Sequence, residues 1–292
     1  MRVAVVGLGG VGGYIGASLA KTSHEVVGFA RGEHLNAIQN KGLQVFEDTQ
    51  QWSANIEAKS LDKATGYFDV VLFCVKSYDL ADSFKALDAC IDEKSILLSF
   101  SNGVCNAELL RHLSKSIVLD ACVYILSHIE KNGVIRKKGK VFAAVFGGDS
   151  CAVSVVKTLF QSAELRVKTP ENIEKALWKK YIFIAAFATL TSYYDKSIGY
   201  VMEHCYAEVE GTLKEIVSVA KAKEINIEEE VQKSLEVAKS LPYDASTSMH
   251  LDFQNNSQTE LESLTGYIVQ EARAYGVELP YITKMYEKLL LN

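Results

Sequence analysis

Over its first 168 residues the chain alternates short apolar runs with amphipathic or turn-rich stretches, and after that it keeps helical spacing. Val3–Val6 predicts a first strand, which runs directly into Gly7-Leu8-Gly9-Gly10-Val11-Gly12. Val11–Leu19 then continues at helical period. Glu25–Ala30 predicts the second strand. Phe68–Val75 (FDVVLFCV) is almost unbroken in its hydrophobicity, as expected of a central parallel strand covered on both faces. Ser95–Ser99, Ile117–Tyr124 and Val141–Phe146 predict further strands. Lys131–Lys140 (KNGVIRKKGK) reads as a turn-rich basic connector or hairpin, with its charges in solvent.

Pro170 marks a change of pattern. From Asn172 the spacing is helical, with Trp178, Tyr181, Ile182 and Ala185 on one stripe. Further helices are predicted over Glu203–Glu224, over Glu228–Lys239 (ended by Pro242), over Glu260–Tyr275 and over Pro280–Leu290. The order implies an α/β chain: a Rossmann-type, doubly wound sheet domain over residues 1–168, followed by an all-helical domain over residues 169–292. A junction between two such domains is where small-molecule sites collect.

Composition narrows the function. A net charge of −5 over 292 residues argues against a nucleic-acid surface, which needs a basic excess. No apolar run reaches the roughly 18 residues that a membrane span needs. The first strand begins at once, as expected of a cytoplasmic chain without a signal peptide. The cysteines (Cys74, Cys90, Cys105, Cys122, Cys151, Cys205) are widely spaced and read as buried, reduced thiols rather than as a disulfide framework or zinc site. The histidines show no metal-ligand spacing, so no metal is expected.

The candidate chemistry begins at the glycine turn. In a strand–turn–helix context, Gly7 permits the tight turn, Gly9 lets phosphates approach the backbone and Gly12 lets the helix lie close to the strand. The second strand ends without a carboxylate to accept from an adenosine ribose; Arg31 follows instead and can fork onto a 2′-phosphate. This favours NADP over NAD, although Arg31 also reads as an exposed loop arginine. Lys76 either adds charge near the same phosphate or ends its strand as an ordinary lysine. Asn102 falls at the carboxyl end of a strand, where ligands of open α/β sheets bind. Hydride transfer to a carbonyl needs a proton donor, and a partly buried lysine can serve. Lys180, four residues before Ile184 on an otherwise apolar helix, fits that role or simply reaches out to solvent. Glu260 either favours its helix dipole from the first turn, with Thr259 as cap, or holds the Lys180 amine and a substrate hydroxyl. Ser248 is a candidate donor to a carboxylate.

Together, GLGGVGG, CVKSYD, SNGV, ALWKKYIFIAA and STSMHLDF…TELESLTG resemble the ketopantoate reductase family (2-dehydropantoate 2-reductases) over nearly the whole chain. The resemblance implies NADPH-dependent reduction of 2-dehydropantoate to (R)-pantoate, a step toward pantothenate and coenzyme A. It implies Lys180 as general acid, Asn102 near nicotinamide and substrate, Glu260 on the substrate hydroxyl, Ser248 on its carboxylate, Gly7 to Gly12 on the pyrophosphate, and Arg31 and Lys76 on the cofactor phosphate. The chain departs from some members one and two turns after the lysine, where Ile184 and Ala188 replace asparagines; Thr191 or Ser192 is the candidate compensation. Two other readings remain open: a reductase of a different 2-keto acid, and an NADPH-binding regulatory protein without turnover. The helical domain also offers surface for a homodimer, though periodicity does not select the face.

Overall fold

The structure is a computed structural model that describes residues 1–291. It resolves into two compact units, Met1–Ser101 with Asn106–Ile173, and Asn102–Cys105 with Glu174 onward.

In the first unit the elements run β1 (Arg2–Val6), α1 (Gly10–Leu19), β2 (Glu25–Phe29), α2 (Gly32–Lys41), β3 (Leu43–Glu47), β4 (Gln50–Ala54), β5 (Glu57–Lys59), β6 (Val70–Phe73) and α3 (Leu80–Leu87). There follow β7 (Ile96–Ser99), α4 (Asn106–Leu113), β8 (Ile117–Lys131), β9 (Val134–Gly147), α5 (Ser150–Ser162) and β10 (Val167–Lys168). They form one mixed sheet in the order β4-β3-β9-β8-β7-β6-β1-β2-β5, with β10 paired to β9. The run β8-β7-β6-β1-β2-β5 is parallel, and β9 is antiparallel to β8. Alternate residues of the parallel strands enter different cores, as the strand period requires. Val3, Val5, Val70, Leu72 and Leu98 pack with α1, α2 and α5. Ala4, Val6, Val71, Phe73 and Leu97 pack with α3 and α4 on the opposite face. This two-sided burial is why the central strands read as continuous apolar runs. The architecture is the expected Rossmann-type sheet followed by helices.

The hairpin reading of residues 131–140 holds: the turn is confined to Asn132-Gly133, β9 begins at Val134, and Lys131, Lys138 and Lys140 are exposed. Lys137 is the exception among these charges. Parallel pairing of β3 with β9 sets Glu47 beside Lys137, whose side chain is 2% exposed. Its Nζ donates to Glu47 Oε1 and to the Gly139 carbonyl, each at 2.7 Å. Distant pairing therefore buries a charge that local composition assigns to water. The cysteines are all free thiols, but Cys151 lies exposed on α5 and only Cys90, Cys122 and Cys205 are fully buried.

In the helical unit the order is α6 (Ile173–Tyr194), α7 (Ile198–His204), α8 (Tyr206–Ala222), α9 (Glu229–Ser240), α10 (Ser248–Gln254), α11 (Tyr267–Tyr275) and α12 (Pro280–Leu289). The predicted stripe of α6 is its buried face: Trp178, Tyr181, Ile182 and Ala185 are each no more than 2% exposed. The helix predicted over Glu203–Glu224 is two helices, divided at Cys205, whose N–H still closes α7 on Val201 while α8 starts beyond it. The helix predicted from Glu260 opens instead with a single π-helical turn, Glu262–Gly266, before α11.

The last helix is held by a charge. Pro280 occupies its first turn, where a missing N–H costs nothing. The next two N–H groups, of Tyr281 and Ile282, each donate at 2.8 Å to the carboxylate of Glu215 on α8. Glu215 is 7% exposed, and burial raises its pKa despite those two donors. Glu215→Ala leaves the N–H groups without this acceptor and is expected to lower unfolding free energy by about 2–3 kcal/mol. Urea denaturation checks this, and an unchanged midpoint refutes the capping role.

Candidate functional site

The glycine turn follows β1 because the sheet seizes the strand end. Gly7 N–H and Leu8 N–H both donate to the Phe29 carbonyl at the end of β2, each at 3.0 Å. That sharp exit sets Gly7 at φ +92°, a conformation hostile to any residue with a side chain. Gly12 is required by proximity: a Cβ there would lie 2.1 Å from the Gly7 carbonyl oxygen. A Cβ at Gly9 would meet nothing within 4 Å, so open space lies in front of this turn. No side chain caps α1 and no carboxylate sits in its first turn. Uncapped N–H groups beside open space suit the pyrophosphate of a dinucleotide.

One support of this turn escapes sequence reading. His34 on α2 spans from the Leu8 carbonyl, 2.9 Å from Nε2, to the Gly133 N–H, which donates to Nδ1 at 3.1 Å. Since Nδ1 accepts, Nε2 carries the proton and donates to Leu8. The imidazole thus joins the glycine turn to the β8–β9 turn. Below the turn, half-buried Cys74 lies against Gly12, and the loss of solvation around its sulfur pushes the thiol up, out of the range of a reactive thiolate.

Arg31 lies immediately after β2 and precedes α2, with its side chain 88% exposed. Its guanidinium lies 3.4 Å from Asp79, three residues beyond Lys76 in the turn that follows β6. Arg31 and Lys76 thus follow the carboxyl ends of β2 and β6, the two strands that flank β1.

In the helical unit, α6 gathers the other candidates. Lys180 is half-buried, and its Nζ donates to Asn102 Oδ1 at 3.3 Å. Asn102 lies three residues past the end of β7, in the short segment that groups with the helices. Glu260, 3% exposed, immediately precedes the helix containing the π turn. That turn is bonded to α6 twice: the Tyr181 hydroxyl donates to the Leu264 carbonyl at 2.5 Å, and the Thr189 and Thr265 hydroxyls are 2.7 Å apart. Ser248 is the exposed first residue of α10. The preceding Thr247 caps that helix and meets the Thr191 hydroxyl at 2.9 Å, roughly three turns along α6 from Lys180. The structure thus joins Asn102 directly to Lys180 and anchors the segments bearing Glu260 and Ser248 on the same helix.

The two candidate substitutes for the missing asparagines are both buried. The Thr191 hydroxyl is fully buried and bonded to the Phe187 carbonyl at 2.6 Å as well as to Thr247. Ser192 Oγ is buried without a hydrogen-bond partner, and its position is rotated by roughly 120° from Lys180 around the helix axis. Among the described residues, no three His, Cys, Asp or Glu side chains gather as a metal would require, and no helix is long and apolar enough to cross a membrane.

Comparison with known proteins matches this arrangement over both units. Residues 3–148 match the sequence model of ketopantoate reductase PanE/ApbA, and residues 172–291 match that of its C-terminal part. The chain belongs to the ketopantoate reductase family. A PanE/ApbA family ketopantoate reductase from Ralstonia eutropha JMP134 is 30% identical, with 100% of this chain and 98% of that one covered and a TM-score of 0.92. A 2-dehydropantoate 2-reductase from Porphyromonas gingivalis W83 is also 30% identical, covering 99% of both chains at a TM-score of 0.85. The uncharacterized oxidoreductase YkpB of Bacillus subtilis (strain 168) is 28% identical over 297 residues, which is 99% of this chain and 98% of that protein. As a member of the ketopantoate reductase family the chain is an oxidoreductase, and its first unit is a Rossmann domain of the NAD(P)-binding type.

The His34 bridge gives a direct test of how the turn is held. His34→Phe removes both hydrogen bonds and is expected to cost about 1–2 kcal/mol of stability while weakening dinucleotide binding several-fold. Thermal melts and fluorescence titration measure the two effects. An unaltered Kd means that the turn keeps its shape without the imidazole.

Proposed function

We propose that the chain reduces the C2 carbonyl of a 2-keto acid to the corresponding 2-hydroxy acid with NADPH. The carrying observation is the half-buried Lys180 amine on an apolar helix, hydrogen-bonded to Asn102 in the loop after β7. Family membership puts 2-dehydropantoate first among substrates, with (R)-pantoate as product.

A bound nicotinamide supplies the hydride. The chain's own residues do the rest. Lys180, as the ammonium, gives a proton to the alkoxide oxygen that forms as hydride reaches C2. Asn102 accepts from the amine and so fixes its direction. Glu260 receives a substrate hydroxyl, and Ser248 donates to the substrate carboxylate. Gly7, Leu8, Gly9, Gly10, Val11 and Gly12 hold the pyrophosphate with backbone N–H groups. Arg31 and Lys76 take the 2′-phosphate; for Arg31 this means exchanging Asp79 for a phosphate, which it can bind bidentately.

Lys180→Ala is expected to lower kcat by about 10²–10⁴-fold while NADPH binding stays close to wild type. Steady-state rates with parallel NADPH titration check this, and unchanged turnover excludes the proton-donor role. Arg31→Ala is expected to weaken NADPH by about 10–100-fold with little effect on NADH. Equal losses for the two cofactors remove the phosphate assignment.

A further inference from the structure

Helical geometry defines what lies beside Lys180. Positions three, four, seven and eight residues further along share its face of α6, and they hold Phe183, Ile184, Phe187 and Ala188. Phe183 and Ile184 are half-buried, whereas Phe187 and Ala188 are buried. The Phe183 and Phe187 rings pack at a tilt of 39° with centroids 4.7 Å apart, so that half-buried Phe183 and Ile184 rest on a continuous apolar layer.

The helix has no polar group to lend to that surface. Between Lys180 and Ser192 its hydrogen-bonding side chains are Tyr181, Thr189 and Thr191. The Tyr181 proton goes to the Leu264 carbonyl at 2.5 Å. Thr189 donates to the Ala185 carbonyl at 2.7 Å and also meets Thr265. Thr191 donates to the Phe187 carbonyl at 2.6 Å and also meets Thr247. Each hydroxyl has one proton, and all three are spent within the helical core.

We infer that the substrate is a 2-keto acid whose side chain is apolar, branched or aromatic, and that Phe183 and Ile184 select it. This rests on the proposed reductase reading, because it takes the reacting carbonyl to lie at Lys180. With the carbonyl oxygen at that amine, the carbon chain beyond C2 lies along the next turn of α6. A methyl or phenyl group there displaces water from Phe183 and Ile184 and gains their contacts. A hydroxyl at the same point gives up its water, meets only carbon on this helix and keeps Glu260 as its single proposed acceptor, which is expected to lower kcat/KM about 10–100-fold relative to the acid without it. The reaction balances as 2-keto acid plus NADPH plus one proton giving 2-hydroxy acid plus NADP⁺. Hydride forms the new bond to C2, and the Lys180 proton goes to the carbonyl oxygen.

The sharpest test compares two acids that differ by a single hydroxyl, 2-dehydropantoate and 3,3-dimethyl-2-oxobutanoate, with NADPH and the wild-type protein. Tenfold or higher kcat/KM for the dimethyl acid without hydroxyl supports the inference. Equal values, or preference for 2-dehydropantoate, overturn it and leave the reductase reading standing. No NADPH oxidation with either acid, or with phenylpyruvate, overturns both. Ile184→Asn is expected to narrow or reverse the ratio, and Ile184→Thr repeats the measurement with a smaller perturbation should the first variant fold poorly. A ratio that neither folded variant alters removes Ile184 from the selection.

Discussion

A lysine amine half-sunk in an apolar helix needs oxygen atoms to meet it, and at Lys180 one of them is Asn102 Oδ1. The segment Asn102–Cys105 that bears this residue groups with the helices rather than with the sheet residues on either side of it. Around that contact α6 acts as a shared support. Its first half holds the Asn102 loop, its Tyr181 and Thr189 hold the turn that follows Glu260, and its last turn holds the start of α10. Each attachment is a hydrogen bond, at 2.5–3.3 Å, and such bonds hold direction better than apolar contacts do.

The dinucleotide turn depends on a different constraint, crowding. Gly7 and Gly12 are dictated by a positive φ and by a 2.1 Å approach, while the space before Gly9 stays open. The backbone there is squeezed from below and free above, which leaves N–H groups facing outward with no competing side-chain cap. His34 adds a lateral brace from the β8–β9 turn. An anion site made of backbone needs this rigidity, because its donors cannot reorient individually.

Much of the site was legible because its signals are local. The strand–glycine–helix motif, the absence of a carboxylate at the end of β2 and the isolated lysine on α6 all lie within a few residues of the features that give them meaning. Other parts were not legible. Nothing near Cys205 announces a helix break, since neither Gly nor Pro is there. His34 looked like one scattered histidine because both of its partners come from other elements. Thr191 looked available to a ligand until the fold gave its hydroxyl to Phe187 and Thr247.

Hydrophobic period and turn chemistry determined by themselves that a Rossmann-type sheet precedes a helical unit, and which residues start the dinucleotide turn. Those properties arise from interactions along the chain, which one sequence displays. The tertiary structure alone decided that Lys137 is buried against Glu47, that Asn102 meets Lys180, and that the Tyr181, Thr189 and Thr191 hydroxyls meet Leu264, Thr265 and Thr247. Each depends on pairing between segments tens of residues apart. Whether a polar side chain is solvated, paired or poised for a ligand follows from what the fold sets opposite it.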